Sequence, residues 1–70
     1  MDNLEKIQGI IERGTIIAQE GNGYIIASID RDGIKTPPLE PTDNNNSFSE
    51  GDRVYYFIFN DGTGRIICKF

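Results

Sequence analysis

Side chains that could carry out chemistry are few in this sequence of 70 residues. It contains no histidine, and its single thiol is Cys68. Histidine is the most frequent general base in enzymes, and a catalytic cysteine needs a neighbouring group that lowers its thiol pKa. The sequence has no histidine to act as an activating partner for Cys68. A lone cysteine in a strand is typical of a small buried apolar residue. We therefore expect that the protein is not an enzyme.

The eleven acidic residues do not follow a metal-binding pattern. Asp30 and Asp32 precede Gly33, but the ligand spacing of a calcium-binding EF-hand is absent and a turn is expected instead. One thiolate without histidine cannot form a structural zinc site. The glycines at positions 21 and 23 lack the Lys-Ser/Thr pair and the following helix of a phosphate-binding loop. We expect neither a metal nor a cofactor.

Aromatic and basic residues in the strand-like segments indicate binding. Tyr24 begins a predicted strand, Arg31 and Lys35 follow it, and Arg53 could join them across a barrel. An aromatic ring can stack on a base, and basic side chains can contact phosphate. These four residues form the candidate nucleic-acid site. The alternative is that the ring covers the barrel wall while the basic residues form solvated surface ion pairs, which contribute little to stability.

The net charge of −4 limits this hypothesis, because non-specific binding of nucleic acid depends on many basic side chains. A local basic face on an acidic domain remains compatible with the sequence. We therefore expect weak binding of single-stranded RNA or DNA.

A second candidate surface lies on one predicted strand, in which both faces are apolar. Tyr55, Phe57 and Phe59 alternate with residues 54, 56 and 58, which are also apolar or aromatic. A strand in a small barrel has only one inner face, so one set must be covered or must bind something. The set that faces outward could contact the N-terminal segment, the long loop, a protein partner, a second subunit or nucleic acid. Tyr55, Phe57 and Phe59 are the candidate protein interface.

Apolar runs separated by turn-forming clusters indicate that all of these residues stand on β-strands or in the turns between them. Gly14 interrupts the first run, and glycine inside a strand often marks a bulge or a bend. Asp61-Gly62 is typical of a tight hairpin turn. The predicted strands cover residues 10–18, 24–29, 34–36, 53–59 and 65–70.

The predicted organisation is a single β-barrel domain over residues 10–70. Residues 37–50 form a long loop that holds all three prolines of the chain. Residues 1–9 form an N-terminal segment in which Leu4 and Ile7 have helical spacing, so it is either a short helix or an early start of the first strand.

Four short glycine-containing motifs follow one another along the chain: Gly14-Thr15-Ile16-Ile17, Gly23-Tyr24-Ile25-Ile26, Asp32-Gly33-Ile34 and Gly51-Asp52-Arg53-Val54. Their order and spacing over residues 14–70 resemble those of an S1-type RNA-binding domain. The segment from Val54 to Ile67 is most similar to the S1-like modules of conserved virulence factor B proteins. The resemblance implies a five-stranded OB-type barrel. It also places the aromatic residue at position 24 on the nucleic-acid face.

Strand order and chain length fit the OB-type barrel, and an SH3-like barrel is the alternative fold. We expect a small binding module for single-stranded nucleic acid. The alternative is a protein-interaction or self-associating barrel that does not bind nucleic acid. A homodimer would supplement a core that is marginal in a chain of this size, which buries about 60% of its unfolded surface.

The sequence has neither an apolar run of about 18 residues nor the basic and apolar regions of a signal peptide. Its lone thiol is typical of reducing compartments. We therefore expect a cytoplasmic protein without membrane association.

Overall fold

The computed structural model describes residues 11–43 and 45–70 and confirms the prediction of an all-β fold. Five strands form one curled sheet in the order β2-β1-β4-β5-β3. They are β1 (Ile11–Glu20), β2 (Gly23–Ser28), β3 (Glu40–Pro41), β4 (Arg53–Ile58) and β5 (Gly64–Lys69). The predicted segment 1–9, with its helix or early strand, lies outside the described residues. No helix in the described part of the chain could cross a membrane.

The two outer strands of the sheet approach each other, as expected for a small β-barrel. The Tyr24 amide donates to the Leu39 carbonyl at 2.8 Å, and the Leu39 amide donates to the Tyr24 carbonyl at 2.9 Å. Leu39 immediately precedes β3, so this pair of hydrogen bonds connects β2 to the far edge of the sheet. The sheet therefore curls around one interior.

Strand β1 is long because it serves two neighbours. Its first half pairs with β4 and its second half with β2, and Gly14 pairs with both. A Cβ at Gly14 would overlap a methyl carbon of Ile26 and the ring of Tyr56. The expected irregularity occurs later, where the register shifts between Ile16 and Ala18. Gly14 is thus needed for close packing, and the bulge is separate from it.

The third strand lies later in the chain than the sequence suggested. Residues 34–36, predicted as a strand, contribute only the isolated bridge between Lys35 and Ala27. The chain is still turning just before them, since Asp32 and Gly33 both have positive φ. The strand that completes the sheet is β3, inside the segment predicted as the long loop 37–50.

Strand β3 is compatible with its proline because it stands at an edge of the sheet, where no amide donor is needed. It pairs in parallel with β5, with Pro41 opposite Ile66. The next residue, Thr42, donates its amide to the Ile66 carbonyl at 2.8 Å. The prediction of a loop over residues 37–50 was therefore wrong at Glu40–Pro41, because the prolines gave no indication of so short a strand.

The core fills the inside of the curled sheet, and all strands contribute to the wall around it. Phe48 of the segment between β3 and β4 packs against this core, with its ring edge-on to Tyr24 at 5.3 Å. The buried apolar residues are Ile16, Tyr24, Ile26, Leu39, Val54, Tyr56 and Ile66. Because Val54 and Tyr56 point inward, the alternate residues of β4 must point outward.

Candidate functional site

The outer surface of β4 and β5 carries four aromatic rings, Tyr55, Phe57, Phe59 and Phe70, which we call the aromatic face. Phe59 is 51% exposed, Phe70 43% and Tyr55 36%, while Phe57 is half-buried. The rings form two contacts: Tyr55 with Phe70 at 4.7 Å between centroids, and Phe57 with Phe59 at 5.5 Å. Phe48, the aromatic residue of the segment predicted as the long loop, packs against the core and does not cover these rings.

Two positive charges flank the aromatic face. The Arg53 guanidinium lies over the Phe70 ring, 5.1 Å from its centroid. Arg65 stands directly opposite Phe57 in the register of β4 and β5. Among the described residues, neither arginine forms an ion pair. The Arg65 guanidinium donates one hydrogen bond, from Nη1 to the Gly64 carbonyl at 3.1 Å. The charges of both arginines are thus left without a carboxylate partner in this part of the chain.

Other basic residues of the described chain are mostly neutralised. Lys35 also has no ion-pair partner among the described residues, but the remaining three have one. These are Arg13 with Asp30, Arg31 with Glu12, and Lys69 with Asp52. The positive charge that is left is thus concentrated beside the aromatic face and at Lys35.

The four residues predicted to bind nucleic acid do not form one surface. Tyr24 lies in the core with 4% of its surface exposed, so its ring is not available for stacking. Arg31 is held by Glu12. Lys35 and Arg53 are both exposed, but β2 and β1 lie between them. Their backbones are three strand spacings apart, about 14 Å along the curled sheet. Only Arg53 belongs to the aromatic face.

Tyr55, Phe57 and Phe59, predicted as an interface, are brought together on one side of β4. Ile11 extends this surface on the neighbouring strand, where it is 53% exposed and opposite Phe57. Sequence reasoning did not include Phe70 and Arg65. The signal for both was cross-strand pairing, since antiparallel β5 must place its own outward residues beside those of β4.

A buried polar cluster occupies one end of the barrel interior, and the sequence analysis missed it. Glu12 is only 7% exposed. Its carboxylate accepts hydrogen bonds from the Tyr56 hydroxyl at 2.8 Å and from Arg31 Nε at 2.6 Å. The Arg31 amide donates to the Ser28 hydroxyl at 3.0 Å. The available signal was alternation, because Glu12 shares the inward side of β1 with Gly14 and Ile16.

The polar groups of this cluster are hydrogen-bonded to one another, which is typical of a structural role. Burial raises the pKa of the Tyr56 phenol, and its hydrogen bond to Glu12 raises it further, so the phenol stays protonated and donates. The hydrogen bond and charge of Glu12 also raise the pKa of Arg31. No buried side-chain nitrogen or oxygen in the described residues lacks a hydrogen-bond partner.

Metal binding finds no support in the described residues, which contain no group of three or more His, Cys, Asp or Glu side chains that could hold an ion. No model of a known protein family matches the sequence, and no curated protein is significantly similar to it. The function of the aromatic face therefore has to follow from its own geometry.

Proposed function

We propose that this protein is a small S1-like module of OB type that holds single-stranded nucleic acid, RNA or DNA, on the aromatic face. The observation that carries the proposal is the placement of exposed rings beside two arginines that have no ion-pair partner among the described residues. Proteins that bind single strands combine stacking on aromatic side chains with positive charges along the backbone path.

The strand connections support an OB-type barrel. β1 lies between β2 and β4, and β3 joins β5 on one side and β2, through Leu39, on the other. This is a five-stranded Greek-key arrangement with one long shared strand, which the OB fold uses to close its barrel. The ligand surface proposed here differs from the one that the S1 resemblance implies, because Tyr24 lies in the core.

The charge distribution supports weak and salt-dependent binding. Six of the nine described carboxylates stand outside the strands, as do Asp32, Asp43 and Asp61. Each stacked base would contribute about 1–3 kcal/mol. Two phosphate contacts would give a slope of about −1.4 in a plot of log affinity against log salt concentration, at about −0.7 per contact.

The test is fluorescence anisotropy of labelled single-stranded RNA and DNA of mixed sequence, at low and at near-physiological salt. The double variant Arg53→Gln/Arg65→Gln is expected to bind more weakly and to lose most of the salt dependence. Lys35→Gln is the matched control, since it removes an exposed charge away from the aromatic face. Equal affinity of the double variant and the control would contradict the proposal, as would a lack of binding at low salt.

A second candidate function, self-association through the same face, is favoured by one specific observation. Ile11 is 53% exposed beside Phe57, and an aliphatic side chain offers no stacking surface for a base. Buried aromatic and arginine residues also dominate the energy of protein interfaces. Sedimentation equilibrium distinguishes the two functions: a dimer that persists at high salt and dissociates in Phe59→Ser supports self-association.

A further inference from the structure

An open polar cavity of about 410 Å³ lies between the tip of the β1–β2 hairpin and residues 40, 41, 46 and 47. Its lining includes Gln19, Asn22, Tyr24, Glu40, Asn46 and Ser47. It is separate from the aromatic face and from the Glu12 cluster. None of the arginines and lysines that the structure describes lines it, so a phosphate group is not its expected occupant.

The lining offers both donors and acceptors of hydrogen bonds. The amides of Gln19, Asn22 and Asn46 can each donate and accept. The Tyr24 hydroxyl accepts from the Phe48 amide at 3.2 Å, and among the described residues no acceptor takes its proton. This combination suits the edge of a neutral heterocycle, which also presents donors and acceptors side by side.

Among the described residues, Glu40 is the one charged residue in this lining, and its charge determines which ligand groups the cavity favours. A carboxylate accepts hydrogen bonds and cannot donate when ionised. It therefore favours a ligand edge with an amino group and disfavours one with a carbonyl oxygen at the same place. Cytosine and adenine carry an exocyclic amino group there, whereas uracil carries an oxygen.

The cavity is within reach of a strand bound on the aromatic face. Glu40 of β3 is paired with Arg65 of β5, and Arg65 is paired with Phe57 of β4. The three residues thus form one row across the sheet. At the usual strand spacing of about 4.8 Å, the backbone at Glu40 is about 10 Å from that at Phe57. A phosphate at Arg65 could therefore stand between a base on the aromatic face and a base at the cavity.

We propose that the cavity holds one base of the bound strand and selects cytosine or adenine over uracil, with Glu40 as the acceptor of the amino group. This inference rests on the proposed function of the aromatic face. Once the base is bound, Glu40 accepts from its amino group, and the amides and the Tyr24 hydroxyl complete the contacts to its remaining polar atoms.

The experiment compares the affinities of an oligocytidylate and an oligouridylate of equal length for the full chain. Both are pyrimidine strands with the same phosphate charge, so the ratio of their affinities isolates the base. The natural protein is expected to bind the oligocytidylate about tenfold more tightly, within the usual range for one specific base contact. Glu40→Gln is expected to bring this ratio close to one, because the glutamine amide can donate to the uracil oxygen.

The matched control is Glu20→Gln, which makes the same change in charge at an exposed residue outside the cavity lining and should keep the ratio of the natural protein. Arg53→Gln/Arg65→Gln should lower the affinities for both oligonucleotides by the same factor, so their ratio should not change. Equal affinities of the natural protein for the two strands, or an unchanged ratio in Glu40→Gln, would overturn this inference alone. Binding of neither strand would overturn the proposed function with it.

Discussion

The Glu12 cluster and the aromatic face both reverse the ordinary distribution of polar and apolar groups, yet they differ in how that reversal is compensated. Glu12 is a carboxylate inside the barrel, and two donors of the same chain, from Tyr56 and Arg31, satisfy it. The rings of the aromatic face lie outside, and the described part of the chain leaves three of them more than a third exposed. The polar groups of the first region are satisfied within the described chain, whereas the rings of the second are left exposed by the described residues.

This difference separates a region that supports the fold from a region that is a candidate for binding. Removing one partner of a buried, hydrogen-bonded charge is expected to lower the free energy of unfolding, because the remaining partner is left buried without compensation. An exposed aromatic row contributes less to folding than a buried one does, and a large exposed apolar patch is typical of an interaction surface. Substitutions in the two regions should therefore change different measurements.

The largest effect on stability is expected for Tyr56→Phe, which removes only the hydroxyl that donates to Glu12. A hydrogen bond to a buried charged group contributes about 1.5–3 kcal/mol. Urea denaturation should show this loss in the free energy of unfolding. Tyr55→Phe is the matched control, because the adjacent tyrosine points outward and its hydroxyl has no partner among the described residues; it should change stability by less than about 0.5 kcal/mol. Equal losses in both variants would remove the distinction between the two regions.

For the aromatic face, Phe59→Ala is expected to change the affinity for single-stranded RNA more clearly than the stability of the fold. The ring is 51% exposed and packs on the Phe57 ring, so the free energy of unfolding should fall by about 1 kcal/mol or less. The affinity for single-stranded RNA should fall by about 1 kcal/mol, at the lower end for one stacked base. Anisotropy titration and urea denaturation of the same sample measure both quantities. A stability loss without an affinity loss would assign the ring to packing.

Sequence reasoning predicted the five-stranded all-β fold and the alternation of residues along β4, because both depend on local patterns of period two. It could not decide which side of β2 faces inward. Tyr24, Ile26 and Ser28 are on the buried side. The aliphatic residues Ile25 and Ile29 lie on the other side, so the two sides differ little in hydrophobicity. The choice depends on the closure of the whole barrel, which no local pattern records.

The third strand and the Glu12 cluster were not predicted, because both depend on contacts between residues that are distant in sequence. β3 has only two residues, one of them Pro41, and it exists because β5 offers it a partner in parallel. Glu12 stands 19 residues from Arg31 and 44 from Tyr56. Contacts this distant in sequence are set by the register of the strands. The site that depends on them, including Arg65 beside Phe57, appears only when the strands are assembled.

A smaller effect is expected at the border of the aromatic face, where Arg13 stands opposite Tyr55. Asp30 neutralises this arginine through an ion pair of 2.6 Å. Asp30→Asn should release the charge and raise the affinity for single-stranded RNA about twofold, with a salt dependence that is steeper by about 0.7. Anisotropy titrations over a range of salt concentrations measure both. Asp32→Asn, in the same turn but without an ion pair among the described residues, is the control that should leave the salt dependence unchanged.

The smallest effect concerns the pH dependence of stability. Hydrogen bonds from the Arg13 side chain, and then from its backbone amide, lower the pKa of the Asp30 carboxyl below its usual value. A carboxyl with a lower pKa in the folded state stabilises the protein above its unfolded pKa, near 3.9, and this contribution is lost as the pH falls through the folded value. The stability difference between the natural protein and Asp30→Asn should therefore be present at neutral pH and disappear in acid. Both groups are exposed, so the difference should be small, and urea denaturation at a series of pH values from neutral to acid would detect it. A difference that persists in acid would mean that the asparagine disturbs the turn itself, and the gain in RNA affinity would then need Arg13→Gln/Asp30→Asn as a further control.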